Sequence, residues 1–241
     1  MAILEAFMKR LLNKATVVYK AKITPAVHHI RIQSERIKKA AFVPGYFLRV
    51  AVGLDNGELS TKDKIRSYSV WDIDPEKGTI DLAVATDGNG PGAQWAMQCQ
   101  VGDALYFAWH KGKFLVDDTA DSYLMIGDLS ALAHLYQINR SLGGNKTVKS
   151  IIYHHNTGHL FADIDGTTPF TFTQLPQNPT AALIEQITGL IPRMGGEKMV
   201  YIAGDSRVCQ ALHGYLRREL QWAGSQLKVK PFWNPDKRGL E

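Results

Sequence analysis

Tyr123-Leu124-Met125-Ile126-Gly127-Asp128-Leu129-Ser130-Ala131-Leu132 decides the fold of the C-terminal half. Four apolar residues read as a buried strand that stops at Gly127-Asp128, and Leu129–Leu142 follows with the length and patterning of a helix closed by Gly143-Gly144. The same alternation continues downstream. Val148–Tyr153 reads as a strand, Thr180–Leu190 as a helix, Met199–Ala203 as a strand, Ser206–Gln221 as a helix and Leu227–Pro231 as a last strand. Strands alternating with helices of this length predict a parallel sheet covered by helices. Ligands of such sheets settle at the carboxyl ends of the strands, where Gly127-Asp128 and Gly204-Asp205 both fall.

Upstream the periodicity changes. Ala15–Ile23, Val27–Ile32, Tyr46–Val52, Ile65–Trp71, Gly78–Ala85 and Ala104–Ala108 read as short strands separated by turns such as Asp55-Asn56-Gly57 and Asp74–Gly78, with one helix from Pro91 to about Gln100. Short strands at near-regular spacing predict an antiparallel barrel or sandwich. The expected fold is therefore an antiparallel β-barrel over residues 1–117, followed by a parallel-sheet α/β domain over residues 118–241. Polar residues accumulate over Gly112–Asp121, and Asp117, Asp118 and Asp121 read as a solvated linker.

Composition narrows the function classes. The 241 residues are 45% hydrophobic and 21% charged, values of a globular chain rather than a disordered one. No apolar run approaches the roughly 18 residues of a membrane span. Met1–Leu12 has apolar residues at helical spacing, but Glu5, Lys9 and Arg10 interrupt them, so it reads as an amphipathic helix rather than an export signal. Cys99 and Cys209 match no metal or redox spacing, and a reducing cytoplasm is the expected compartment. The net charge of +5 is uneven. Residues 1–66 carry 13 Lys/Arg against 5 Asp/Glu, residues 67–130 carry 3 against 10, and the remainder 12 against 8. That is unlike the continuous basic stripe of a nucleic-acid binder; a small anionic ligand fits better. A monomer is the default expectation.

Two segments of the β half could carry chemistry. Arg66-Ser67-Tyr68-Ser69 puts a guanidinium and an aromatic ring on one side of a strand and two hydroxyls on the other. A flavin dinucleotide needs such a ring and such a cation. Alone, the tetrapeptide fits an ordinary exposed strand equally well. Thr86-Asp87-Gly88-Asn89-Gly90-Pro91-Gly92-Ala93-Gln94-Trp95-Ala96 is a glycine-rich loop running into a helix whose first turn suits proline. Helix N-termini bind phosphate, yet a plain turn is as good a reading of this loop alone. Gly88, Gly90 and Ala93 formally fit a dinucleotide fingerprint, but the preceding strand belongs to an antiparallel series. His154-His155 with His159 gives an H-x3-H spacing in an expected loop. That falls short of the three converging ligands a metal site needs, so no metal is expected. His28-His29 reads as structural.

Taken together, these segments resemble the siderophore-interacting protein family, flavin enzymes of the ferredoxin-reductase superfamily. The matching elements are Arg66–Ser69, Asp87–Ala96, Gly127–Leu132 (Gly-Asp-Leu-Ser-Ala-Leu), Ala203–Ser206 (Ala-Gly-Asp-Ser) and the late Phe232-Trp233 with Lys237-Arg238. The resemblance implies an FAD-binding β-barrel and an NAD(P)H-binding-like domain. Arg66, Ser67, Tyr68 and Ser69 would hold the flavin, with Tyr68 on the isoalloxazine. Thr86, Asp87, Gly88, Gly90, Pro91, Gly92, Ala93 and Trp95 would surround the FAD pyrophosphate. Asp128 and Ser130 would line the gap between domains and touch FAD. Gly204-Asp205-Ser206 would lie where a nicotinamide docks. It implies reduction of a ferric siderophore to release ferrous iron, by electron transfer through FAD with no acid, base or nucleophile. The electrons would come from NADH, NADPH or reduced ferredoxin. Arg49, Lys237 and Arg238 would draw the anionic complex. The alternatives are a flavin-binding electron-transfer module, or a general ferric-chelate or flavin reductase with another acceptor. Four positions depart from the family pattern: Asp87 replaces a histidine, Gly92 an alanine and Leu129 an acidic residue, and Arg207 follows Ser206. Gly92 is expected to loosen the helix start.

Overall fold

A computed structural model describes residues 11–53 and 64–236. The rest of the expected N-terminal helix, the turn at Asp55-Asn56-Gly57, and Lys237 and Arg238 lie outside the described residues. The described chain forms two compact units that meet between Lys113 and Phe114.

The first unit is an antiparallel, barrel-like sheet of seven strands. These are β1 (Asn13–Thr24), β2 (Val27–Gln33), β3 (Phe47–Ala51), β4 (Ile65–Ser69), β5 (Asp72–Asp74), β6 (Thr79–Ala85) and β7 (Ala104–His110), in the order β4-β3-β7-β1-β2-β6-β5. Two helices accompany them, the single turn α1 (Glu35–Lys38) and α2 (Pro91–Gln98). Val17, Ile30, Ile32, Leu48, Val50, Ile80, Leu82 and Phe107 fill the interior. Ile30 and Ile32 alternate with His29, Arg31 and Gln33, and Ile80 lies between Thr79 and Asp81, so in these strands the period of two marks the inward face. Polar, three-residue β5 carries no such signature and pairs only because Ile73 falls opposite Ile80. His29 contacts buried Asp81, to which Arg31 Nε also donates at 2.8 Å, in keeping with a structural role for this pair of histidines.

The second unit is a parallel sheet of β8 (Ser122–Asp128), β9 (Thr147–His154), β10 (Phe172–Gln174), β11 (Lys198–Asp205) and β12 (Leu227–Trp233), in the order β10-β9-β8-β11-β12. Helices α3 (Leu132–Arg140), α4 (Thr180–Leu190) and α5 (Ser206–Arg218) cover it. All seven residues of β8 are buried, as a strand covered on both faces must be, which explains its unbroken apolar run. Leu124, Ile126, Val200, Ile202 and Leu212 pack on one face. On the other, Tyr123 faces Tyr201, and Tyr136 stacks on Phe170 at 4.9 Å. Among the described residues, no helix is long and apolar enough to cross a membrane.

Several expectations need correcting. The helix expected over Leu129–Leu142 is a 3-10 turn (Leu129–Ala131) followed by α3, because the Asp128 side chain accepts from Ser130 N and tightens the first turn. It ends at Ser141, whose Oγ donates to Gln137 O, and not at Gly143-Gly144. Of the expected solvated segment, Asp118 and Asp121 are exposed, and all three carboxylates also have partners. Asp117 pairs with Lys228 at 2.8 Å and Asp118 with Lys146 at 3.5 Å, while Asp121 accepts from Glu197 N. The Lys228 hydrogen bond holds the Asp117 carboxyl below its ordinary range.

His134, on α3, is fully enclosed with Phe114 and Phe232 against its ring at 5.2 and 5.7 Å. Burial, helped by the Lys230 charge, pushes its pKa down to about 3. The folded state therefore refuses a proton that the unfolded chain accepts below about 6.5, so stability is lost as pH falls from there toward 3. At pH 5 the loss is about 2 kcal/mol. His134→Phe is expected to remove it: urea midpoints at pH 7.5 and 5 should lie closer together in the variant than in the wild type. Equal spacing of the midpoints in both proteins would refute the assignment.

Candidate functional site

In the β unit the two sequence segments converge. Strand β4 is an edge strand paired with β3, so that Tyr68 opposes Leu48, Arg66 opposes Val50 and Ser67 opposes Arg49. Leu48 and Val50 are fully buried, and directly paired residues share a face. Arg66 and Tyr68 therefore sit on the inward side. Ser67, Ser69 and Arg49 are on the other. Helix α2 abuts the Arg66–Tyr68 side. A Cβ on Gly92 would lie 2.6 Å from Tyr68 Oη and 3.4 Å from Arg66 Cγ, and the Tyr68 and Trp95 rings lie 5.4 Å apart. Gly92 is thus the residue that lets the helix start approach β4, a job that the expected loosening of the helix did not anticipate.

The start of α2 is open electrically as well as sterically. Its N-cap Gly90 is extended and offers no side-chain hydrogen bond, and Pro91 has no N–H. The amides of Gly92 and Ala93 are then among the donors a helix leaves for a ligand. Side chains added at Gly88 or Gly90 would meet nothing within 4 Å. A guanidinium, an aromatic ring and an uncapped helix N-terminus are gathered within one unit, and a Cβ at Gly92 would spoil their approach. These residues fit a dinucleotide: amides and Arg66 for a pyrophosphate, Tyr68 for a flat ring.

Arg49 does not join this group. Its Nε is buried with no hydrogen-bond partner among the described residues, and its side chain lies on the face opposite Arg66 and Tyr68.

In the α/β unit, four neighbouring strands bring Tyr153 (β9), Asp128 (β8), Asp205 (β11) and Trp233 (β12) together at their carboxyl ends. The sheet runs outward in both directions from β8, so the crevice at the carboxyl ends of β8 and β11 is its switch point. Asp128 fills the centre. Its Oδ1 accepts from Ser130 N (2.9 Å) and Ser130 Oγ (2.5 Å), and its Oδ2 from Asp205 N and Trp233 Nε1, both at 2.8 Å. Burial raises its pKa, and those four hydrogen bonds oppose the shift. A carboxylate has about four acceptor sites, so all are spent inside the unit. Asp128 thereby clasps three strand ends, those of β8, β11 and β12.

Gly204 makes the clasp possible. Its φ is +122°, and a Cβ there would lie 2.5 Å from Asp128 Cγ. Asp205 turns the other way and accepts from Arg207 N (2.9 Å) and Nη2 (2.6 Å). Arg207, a departure from the family pattern, is thereby the partner of a motif residue. Asn234 Nδ2 donates to Ser206 Oγ at 2.6 Å. The Tyr153 hydroxyl is buried with no hydrogen-bond partner among the described residues, and burial pushes its pKa up. Sequence reading missed Tyr153, and it took Trp233 only as part of an aromatic pair. Tyr153 sits in no recognised motif, and the place of both residues follows from strand register.

The family profile described as "Siderophore-interacting protein" matches residues 120–236, and "Siderophore-interacting FAD-binding domain" matches residues 53–113. Ferric vibriobactin reductase ViuB of Vibrio cholerae serotype O1 is 24% identical over 190 residues, 72% of this chain and 65% of that protein. The chain thus spans less than two thirds of the length of this relative. Among solved structures, the siderophore-interacting protein SipS from Aeromonas hydrophila superposes with a TM-score of 0.78 at 18% identity, covering 95% of this chain and 94% of that one. Phthalate dioxygenase reductase, titled a modular structure for electron transfer from pyridine nucleotides to [2Fe-2S], superposes with a TM-score of 0.69 at 18% identity, over 92% and 68% of the two chains. With one profile matched in each unit and the ferredoxin-reductase-like fold beneath them, the chain belongs to the siderophore-interacting protein family.

Proposed function

We propose that this protein is an FAD-dependent oxidoreductase that reduces ferric iron held by a siderophore, so that the metal leaves as ferrous iron. The observation that carries the reading is the meeting of Arg66, Tyr68 and the uncapped start of α2 in a segment matched by a siderophore-interacting FAD-binding profile. FAD, when bound, accepts two electrons as a hydride and passes them on singly. The chain's own part is to bind and orient. Arg66 and the amides of Gly92 and Ala93 hold the pyrophosphate, with Thr86–Gly90 forming the loop around it. Tyr68, braced by Trp95, supports the ring, and Ser67 and Ser69 lie on the alternate side of the same strand. The Asp128 clasp keeps the Gly204-Asp205 turn in shape for a nicotinamide donor, with Ser130 locked onto it. No side chain needs to move a proton to iron. Fe²⁺ binds hard oxygen ligands less tightly than Fe³⁺, so each electron releases one metal ion. Arg49, Lys237 and Arg238 serve as the cations that attract the anionic complex, and the reaction belongs in the cytoplasm.

The test is anaerobic. The flavin-loaded protein is reduced with NADH, NADPH or reduced ferredoxin in separate runs, then mixed with a ferric tris-catecholate in a stopped-flow instrument. Reoxidation at a rate rising with the ferric complex, with ferrous iron trapped by a chromogenic chelator, is the expected result. If flavin bleached by every donor stays reduced in the presence of the ferric complex, the reading fails and a carrier that hands electrons to another protein takes its place.

A further inference from the structure

Outside both candidate sites, the end of β9 gathers three imidazoles. His154 is the last residue of β9, His155 follows it, and His159 closes a 3-10 turn (Thr157–His159). The turn is built to bring the chain back on itself. Asn156 caps it by accepting from Gly158 N at 3.0 Å, and His159 N donates to Asn156 O at 3.0 Å. The three rings lie 4.1, 5.0 and 5.8 Å apart by their centroids. One nitrogen from each falls within 4.8 Å of the others. The sequence spacing gave the H-x3-H pair His155 and His159; the turn sets both beside His154.

We propose that His154, His155 and His159 bind one divalent transition-metal ion of the Zn²⁺ class, with water in the fourth position. Zinc holds imidazole nitrogens at about 2.0–2.1 Å in a tetrahedron, which sets the nitrogens roughly 3.4 Å apart. The ligand set is all imidazole, which suits zinc, nickel, cobalt and copper and not calcium or magnesium. The buried ring is also oriented. His154 Nδ1 lies 2.9 Å from Asn156 O and 3.2 Å from Asn156 N, so the backbone of the turn holds this ring in place. His155 is exposed and His159 half-buried, so an ion and its water can enter from solvent. The ion would tie the end of β9 to the turn that follows, one residue beyond the Tyr153–Asp128 row.

The experiment uses full-length, chelator-stripped protein without an affinity tag. Zn²⁺ binding is followed by calorimetry, and Co²⁺ binding by its visible absorption, which is intense only in tetrahedral or five-coordinate sites. One equivalent of each is expected to bind the wild type. His155→Gln and His159→Gln, at positions open to solvent, should each weaken binding by about 100-fold or more while circular dichroism stays unchanged. His213→Ala, an exposed histidine elsewhere on α5, should bind as the wild type does. Absence of a stoichiometric site in the wild type would overturn the proposal. So would equal binding by the wild type and the His155→Gln/His159→Gln double variant.

Discussion

Gly204→Ala is expected to destroy the α/β unit's cooperative unfolding transition. Two costs act together. A φ of +122° is a region that side chains rarely enter, with a strain of about 1–3 kcal/mol. The new Cβ would also overlap the Asp128 carboxylate. Displacing that group strands the buried N–H of Asp205 and the indole of Trp233, and each lost partner costs about 1–3 kcal/mol. The sum is about 4 kcal/mol or more, a large part of the 5–15 kcal/mol that holds an ordinary domain. Urea unfolding followed by tryptophan fluorescence reads the effect. Gly88→Ala is the control, since a Cβ there meets nothing within 4 Å, and it should change stability by less than about 1 kcal/mol. A Gly204→Ala midpoint that matches the Gly88→Ala midpoint would refute the clasp.

Arg66→Ala is expected to weaken FAD binding by about 100-fold while the barrel stays folded. A charge-assisted hydrogen bond to a phosphate contributes about 1.5–3 kcal/mol, and each 1.4 kcal/mol is tenfold in affinity. Arg66→Lys keeps the charge but loses the planar fork, so its affinity should fall between the two. Arg49→Ala separates the two roles assigned to arginine here. Its side chain lies on the opposite face of the β3–β4 pair, so FAD affinity should stay within about twofold while the ferric complex binds less well. Titration by flavin fluorescence quenching gives all three values. An Arg66→Ala protein that takes up FAD as the wild type does would remove the guanidinium from the cradle.

Much of the architecture was legible locally. The period-two alternation of β1 and β2 survives because one face of each is more open to solvent, and the unbroken run in β8 survives because neither of its faces is. Strands β5 and β10 escaped because each is three residues long, too short to show a period. The end of α3 was misread because Gly143-Gly144 is a stronger written stop signal than Ser141, although Ser141 Oγ closes the helix two residues earlier. In the sites, Arg66, Tyr68 and the glycine loop were legible as motifs. Gly92 looked like a flaw in a motif and proved to be the point of approach. His159 looked like a loop residue and proved to face His154 and His155.

Read alone, the amino-acid sequence determines the order of strands and helices and the positions of the glycines. Those depend on side-chain periodicity and backbone freedom over a few residues. Which polar groups answer one another was decided only by the tertiary structure. Asp128 meets partners 77 and 105 residues away, Gly92 at the start of α2 meets a tyrosine on β4, and Arg49 is turned from Arg66 by the pleat. Such pairings are set by strand register and helix docking, and these come from burying the apolar faces of whole elements, for which no single stretch of chain holds the instruction.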